Sequence, residues 1–485
     1  MNNVVAICNI KKAEYPNIPP FNPPEYFQEY PFKGKGVDKS NYIYSGVRNI
    51  FYQLGMDKEN YGTESWNPLK TIISPGDNVL IKPNFIRHFH GFGLALDFII
   101  THGSIIRAII DYVFIALDGK GSAIIGDAPI QQANFEMLLD LSGLKKVVEF
   151  YEENSCIKIS TVDFRKEKTI KNRYGTILAK IKLEGDPLGY TIVDLGKRSE
   201  LMEIRHKYKK FQVTNYDKKE MLLHHNRNKN EYLISNNVLN ADVVINLPKL
   251  KTHRKAGMTC ALKNMVGING SKDWLPHHCV GPVCDGGDEY RYPSLRKRLI
   301  TWLTEIIDNS KSLFLKNVYH LLRKMISFTR HFVPFKDDYF EGSWYGNDTI
   351  WRTILDINKI LFFADRAGQI REKPQRKYFT IVDGIIGGEG EGPLEPNPKK
   401  CGVLIGGNNP LIIDAVCCKI MGFDYRKVPL LNNALKRDEF SDKLKLDNVE
   451  VYLNKQKISF KDLEEKINFN FLPSQGWKNH IEINR

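Results

Sequence analysis

The sequence predicts an α/β protein: a mainly parallel sheet with crossover helices, a helical basic insertion and a small antiparallel addition. Two observations carry that class. Short apolar runs bounded by turn residues recur at Val79-Leu80-Ile81, Ala123-Ile124-Ile125, Val243-Val244-Ile245 and Val403-Leu404-Ile405, as in strands buried on both faces. Between the first two runs, Ile105, Ile106, Ile109, Ile110, Val113 and Phe114 repeat at helical spacing. A strand, a helix and a strand in that order imply a parallel pair joined by a crossover.

The elements follow in order. Val4 to Cys8 is a strand candidate, and the proline-rich stretch from Tyr15 to Phe32 is a loop. Ser45 caps a helix to Leu54. Val79-Leu80-Ile81 runs into Lys82-Pro83-Asn84, and Phe85 to Ile100 is a loop. Thr101 caps a helix from His102 to about Leu117. Ala123-Ile124-Ile125 leads into Gly126-Asp127-Ala128-Pro129, so Asn84 and Asp127 fall at one sheet edge. Asn134 to Leu144 is helical, and Ile157 to Leu195 alternates strand-like runs with turns, the antiparallel addition.

Ala241 to Gly270 organises the chain. The run Val243 to Leu247 is a buried strand that Pro248 stops. Lys249, Lys251, His253, Arg254 and Lys255 follow as a dense cationic loop, and Gly257 to Gly267 reads as a short helix bearing Lys263 and Asn264. Open α/β folds bind ligands at such strand ends; the alternative is a solvated basic turn. Residues 271–374 read as a mostly helical basic insertion into a core built from 1–270 and 375–455, with 456–485 as a tail. After the insertion, Phe379 to Val382 is a strand ending in Asp383, followed by a glycine loop from Gly387 to Pro393 that includes Gly388 and Gly390.

Length and composition bound the rest. The chain has 485 residues, 42% hydrophobic and 26% charged, an ordinary globular balance with no run long enough to span a bilayer. No signal peptide is recognisable at the N-terminus. Eight cysteines without a C-x-x-C spacing fit a reducing cytoplasm. The formal charge of +14 calls for anionic partners. Half of it sits between Ser294 and Lys336, where nine Lys/Arg face only Glu305 and Asp308. Apolar residues at helical spacing accompany that charge. Packing on the main domain is one reading; the other is the anionic inner face of a membrane. The expected partner at the strand ends is a small anionic substrate. No nucleic-acid partner is expected, and the oligomeric state stays open.

The strand ends define the candidate site. Asn84, Asp127, His253, Lys263 and Asp383 are predicted to line one cleft. His253, titrating near neutrality, is the acid/base; Asp127 and Lys263 complete the catalytic set. Lys82, Asn84, Lys251, Asn264, Asp383, Gly388 and Gly390 are the ligand-binding candidates, the glycines through backbone amides. Glu389 and Glu391 argue against a phosphate loop there, and a tight structural turn is the competing reading. His277 and His278 have metal-ligand chemistry without the spacing of a structural zinc site.

The ordered set V-L-I-K-P-N-F, I-I-G-D-A-P, A-D-V-V-I-N-L-P-K-L-K-T-H, A-L-K-N-M-V-G and I-V-D-G-I-I-G-G-E-G-E-G-P resembles the domain-of-unknown-function 362 family. K-D-W-L-P-H-H, G-G-D-E-Y and G-N-D-T-I-W-R look like its longer branch, found with surface-polysaccharide genes, which implies envelope or glycan metabolism. Some relatives carry a ferredoxin-like iron–sulfur module; this chain lacks that cysteine run, so no such cluster is expected. His253 and Lys263 also keep the spacing of H-x-x-A-G-x-x-x-x-x-K, which is remotely similar to nickel-dependent lactate racemase. That resemblance implies an acid/base at His253, a cofactor tether at Lys263 and a metal-binding His at His277 or His278.

Overall fold

The computed structural model describes residues 3–10, 12–172, 177–214, 216–310, 312–328, 337, 339–441 and 445–483. Lys311, Arg330 and Lys336 of the basic segment lie outside them.

The first half runs β1 (Val4–Asn9), α1 (Tyr42–Gln53), β2 (Asn78–Pro83), α2 (Gly103–Leu117), β3 (Ser122–Asp127), α3 (Phe135–Leu141), α4 (Leu144–Asn154) and β4 (Lys158–Asp163). It supplies β2, β3 and β4 to one side of a large sheet and β1 to the other. Asn41 caps α1 and His102 caps α2, in place of the expected Ser45 and Thr101. Thr101 is otherwise engaged: its Oγ1 donates to the Leu247 carbonyl at 2.6 Å and accepts the Asn84 amide at 2.8 Å. The predicted addition divides. β4 pairs parallel with β3, whereas β5 (Glu167–Lys171) and β6 (Ile177–Lys182) form an antiparallel pair. β7 (Tyr190–Asp194), β8 (Phe211–Gln212), α5 (Lys218–His224), β9 (Glu231–Ser235) and α6 (Asn236–Leu239) lead to the organising stretch, with β7 and β9 antiparallel.

That stretch forms β10 (Val243–Leu247), β11 (Lys249–His253), β12 (Gly257–Thr259), α7 (Ala261–Asn264) and a turn at Met265–Ile268. β11 was expected as a loop. Pro248 does end β10, but the chain then rejoins the sheet beside a different strand. The next elements are β13 (His278–Cys279), α8 (Leu295–Asn309), α9 (Leu313–Phe328), α10 (Ile350–Phe363), β14 (Lys377–Glu391), β15 (Glu395–Gly407) and α11 (Pro410–Ile420). β16 (Glu450–Leu453) and β17 (Gln456–Ser459) close the sheet.

Among the described residues the sheet has eleven strands, in the order β17-β16-β1-β15-β14-β10-β2-β3-β4, with β11 joined to β14 and β12 to β11. The block from β14 to β4 is parallel, and β15 runs antiparallel beside it. Alternation along β10 builds the two cores: Val244 belongs to a cluster with α10 and α11, while Val243 and Ile245 face α1, α2 and α4. All eight cysteines are unpaired.

The glycine stretch is not a loop. β14 continues to Glu391 and pairs with β15 as a long hairpin. Segment 271–374 also differs from a simple insertion. Its last helix, α10, is buried along its whole length and shares a core cluster with β10 and α11. Asn358 of α10 donates to the Leu262 carbonyl of α7 at 2.9 Å. Nor is 456–485 a loose tail: the buried Trp477 indole donates to the Arg254 carbonyl at 2.7 Å and braces the turn after β11.

Candidate functional site

Strand alternation arranges the cations. On β11, Lys249, Lys251 and His253 share one face and Leu250 and Thr252 the other, and all five are buried. Lys249 enters a closed network. Its Nζ lies 3.0 Å from Asp383 Oδ2 and donates to the Tyr15 hydroxyl at 2.5 Å; that hydroxyl donates to Asp383 Oδ1 at 2.6 Å. The His102 amide completes the carboxylate at 3.1 Å.

Lys251 starts a buried amide chain. Its ammonium donates to Asn84 Oδ1 at 2.6 Å and to the Ile99 carbonyl. Asn84 donates to Asn264 Oδ1 at 2.6 Å, and Asn264 to Asn246 Oδ1 at 2.7 Å. Asn246 then donates to the Tyr378 hydroxyl at 2.7 Å. Each amide is oriented by the next, so this chain ties β2, α7, β10 and β14 together.

At the ends of β2 and β3, Lys82 Nζ lies 2.7 Å from Asp127 Oδ1, and the Phe85 amide donates to Oδ2 at 2.6 Å. Gly267 presses on this pair. A Cβ there would run into the Asp127 carboxylate and the Lys82 ammonium, which explains a glycine at that point.

In front of these groups opens a cleft of about 340 Å³. Asn84, Asp127, His253, Lys263, Asn264 and His277 line it, together with Lys255 and Lys272. It lies at the carboxyl ends of parallel strands, the usual ligand position in an open α/β sheet. Asp383 does not line it; the predicted five-residue convergence holds for four. Lys82 and Lys251 stand behind the wall as partners of Asp127 and Asn84.

Gly388 and Gly390 have structural work. A Cβ at Gly388 would press on Phe98, Pro396 and Lys251, so the glycine admits β11 against β14. The Gly390 amide donates to Leu472 O at 2.8 Å, and its carbonyl accepts Thr252 Oγ1 at 2.9 Å. The expected ligand-binding role is thus corrected: these backbone groups are spent within the fold.

The histidines hold complementary tautomers. His253 Nδ1 accepts the amides of Lys255 and Ala256, each at 3.1 Å. Two N–H donors on one nitrogen place the ring proton on Nε2. Burial, helped by Lys263 and His277, holds its pKa well below the ordinary value. His253 is therefore a neutral Nε2–H donor, and the expected acid/base at this residue is corrected. His277 is the converse. Its Nδ1 faces the Leu275 carbonyl at 2.6 Å and must donate, leaving the Nε2 lone pair available. Burial and then Lys255 depress its pKa as well.

His278 is not in the cleft wall; its ring is buried beside β8, with Nδ1 unpartnered. Among the described residues no group of three His, Cys, Asp or Glu side chains could hold a metal. The residues present do not build the metal centre expected at His277 and His278, and no step below runs through one.

Three lysines set the electrostatics. Lys255 is buried, and Lys263 and Lys272 are half-buried. Among the described residues, none of their ammonium groups has a hydrogen-bond or ion-pair partner. Burial lowers Lys263 to about 8, with Lys82 adding repulsion and Asp127 opposing it. Burial lowers Lys255 to about 8 against the pull of Glu341, and Lys272 to about 7 against that of Asp127. Lys272 was missed from sequence, although it follows the organising stretch by only two residues.

Fold and cleft define a class: an open α/β protein with a lysine-lined cleft at the carboxyl edge of its parallel strands. Residues 191–419 match the model of the family described as domain of unknown function (DUF362). No curated protein matches it significantly. The matched stretch carries His253, Lys255, Lys263, Lys272 and His277; Asn84 and Asp127 come from outside it.

Proposed function

We propose that the chain is an enzyme acting on a small anionic, carboxylated or phosphorylated substrate held in this cleft. One observation carries the reading: three ammonium groups without partners face one cavity, an arrangement that an anion would complete. Lys255, Lys263 and Lys272 bind the anion. His253 Nε2–H donates to a substrate oxygen without ionising. His277 Nε2, or Lys263 Nζ once neutral, takes the proton in an acid–base step. Lysines whose pKa values sit near neutrality suit that exchange. Calorimetric titration with inorganic phosphate and with oxalate tests the reading. Saturable binding that weakens in the Lys263→Met and Lys272→Met variants supports it, and heat of dilution alone sinks it.

A second reading concerns location. Among the described residues no helix is long and apolar enough to cross a membrane. The α8–α9 hairpin nonetheless exposes Leu295, Trp302, Phe314, Leu321 and Met325 within the basic segment. Apolar side chains mixed with cationic charge suit the surface of an anionic bilayer. Co-sedimentation with phosphatidylglycerol vesicles but not phosphatidylcholine vesicles supports peripheral attachment; equal recovery from both refutes it.

A further inference from the structure

The cleft also has a neutral polar lining. Gln131, Thr169 and Thr214 line it alongside the lysines, and each has an unpartnered polar atom. Gln131 is 2% exposed and Thr169 is 7% exposed. The orientation of Gln131 is fixed: its Nε2 donates to Glu167 Oε1 at 2.8 Å, which leaves Oε1 as a bare acceptor. Glu167 is also held by Lys180 at 3.1 Å. The Thr169 amide donates to the Gln131 carbonyl at 2.9 Å, locking the two residues together. Thr169 Oγ1 and Thr214 Oγ1 can each donate and accept.

These atoms set a requirement that the lysines do not. An unsatisfied buried acceptor carries a desolvation cost of about 1–3 kcal/mol, and only an O–H or N–H group relieves it. A carboxylate, or the ionised oxygens of a phosphate, offers Gln131 Oε1 only more negative charge. A hydroxyl, being donor and acceptor at once, satisfies all three atoms. The cavity of about 340 Å³ also exceeds the needs of a lone anion, and it falls in the range of small-molecule pockets.

We infer that the ligand is bipartite: an anionic head on Lys255, Lys263 and Lys272, and a polyhydroxylated body, of sugar size, on Gln131, Thr169 and Thr214. This rests on the anion reading of the same cleft and adds the chemistry of the rest of the substrate.

The experiment compares bare and hydroxylated anions on the full chain: inorganic phosphate against glucose 6-phosphate, and acetate against glucuronate. The first pair tests a phosphorylated head and the second a carboxylated one. In at least one pair the hydroxylated member should bind about tenfold tighter or more, as two or more added hydrogen bonds imply. Thr169→Val keeps the side-chain shape and removes the hydroxyl; Gln131→Met keeps the length and removes the acceptor. Each variant, checked by its melting curve, should lose most of that advantage and leave inorganic phosphate binding within about twofold of wild type, because no lysine is touched. Phosphate binding without any gain for either hydroxylated anion overturns this inference and leaves the anion reading standing. A gain that survives in both folded variants also overturns it. No binding of any anion removes both.

Discussion

Replacing Lys263 by methionine tests the cleft most directly. Lys263 stands on α7 among Ala261, Leu262 and Met265, all buried, and its ammonium points to the cavity without a partner among the described residues. Its pKa of about 8 lies roughly 2.5 units below that of a free lysine. At about 1.4 kcal/mol per unit, the charged form costs the ligand-free protein about 3 kcal/mol as a ceiling. Allowing for its partial exposure, roughly half of that is expected. Lys263→Met removes the charge and keeps the length, so the free variant should be more stable by about 1–3 kcal/mol, a rise in Tm of a few degrees. The gain has a pH signature. Below about 8 both folded and unfolded chains hold the proton, and the wild type bears the full cost. Between about 8 and 10.5 the unfolded chain binds more protons, so wild-type stability rises with pH and the advantage of the variant fades. Binding of inorganic phosphate should fall by about tenfold to a hundredfold, the worth of one charge-assisted hydrogen bond. Melting curves at pH 7 and pH 10 with phosphate titrations provide the readout. A folded Lys263→Met protein that binds phosphate like wild type and gains nothing at pH 7 would refute the reasoning.

Further outcomes follow from the same geometry. Sulfate, which does not titrate between pH 6 and 10, should bind more weakly as pH rises through about 7 and then 8, where Lys272 and Lys263 lose their protons; calorimetry near pH 7.5 in buffers of different ionisation enthalpy should register proton uptake, and a pH-independent affinity would contradict the lysine assignment. Gly267→Ala should destabilise the protein by about 1–3 kcal/mol in denaturant titration, because the new methyl group must displace the Lys82–Asp127 pair. Excision of Ser294 to Lys336 should leave a cooperative melt, since Ile300, Leu303 and Ile307 of α8 belong to neither main core cluster; loss of cooperativity would make the hairpin part of the core.

The parallel sheet was legible because its strands are apolar on both faces, and Asn84 and Asp127 were placed by counting strand polarity. The organising stretch was legible as part of a strand-end cleft and misread in its local structure. Pro248 and the density of lysine suggested a loop, but the period of two in Lys249, Leu250, Lys251, Thr252 and His253 was a strand signal. Likewise Gly387 to Gly392 read as a turn because glycine is the usual mark of one; here it serves close packing between β11, β14 and β15. The tautomer of His253 depends on the fold of residues 253–256, and periodicity carries no trace of it. Gln131, Thr169 and Thr214 come from three separate segments and meet only in the tertiary structure, so no local pattern could single them out. α10 falls in the segment read as a mostly helical insertion, but its membership of the core appears only once α7 lies against it.

Among the described residues, the buried lysines other than Lys255 are all met by oxygen. Lys82 is paired with Asp127 and Lys249 with Asp383; Lys359 lies 2.8 Å from Glu200. Lys297 meets Asp337, and Lys419 donates to the Phe460 carbonyl at 2.9 Å. Lys251 has two oxygen acceptors. The fold therefore supplies an oxygen wherever a buried ammonium serves structure, as the cost of an unpaired buried charge demands. Lys255, equally buried, has no such oxygen among the described residues, and it shares a cavity with Lys263 and Lys272 in the same condition. Glu341 exerts the largest opposing pull on Lys255, and it lies 3.9 Å from Arg254. A solvated basic turn would place these ammonium groups in water at their ordinary pKa, whereas burial lowers all three. Among the described residues, three ammonium groups without hydrogen-bond or ion-pair partners share that cavity, and burial makes each costly to charge. Under the proposed function, an anion entering the cleft lowers that cost at all three lysines together, so affinity and protonation should rise and fall with one another.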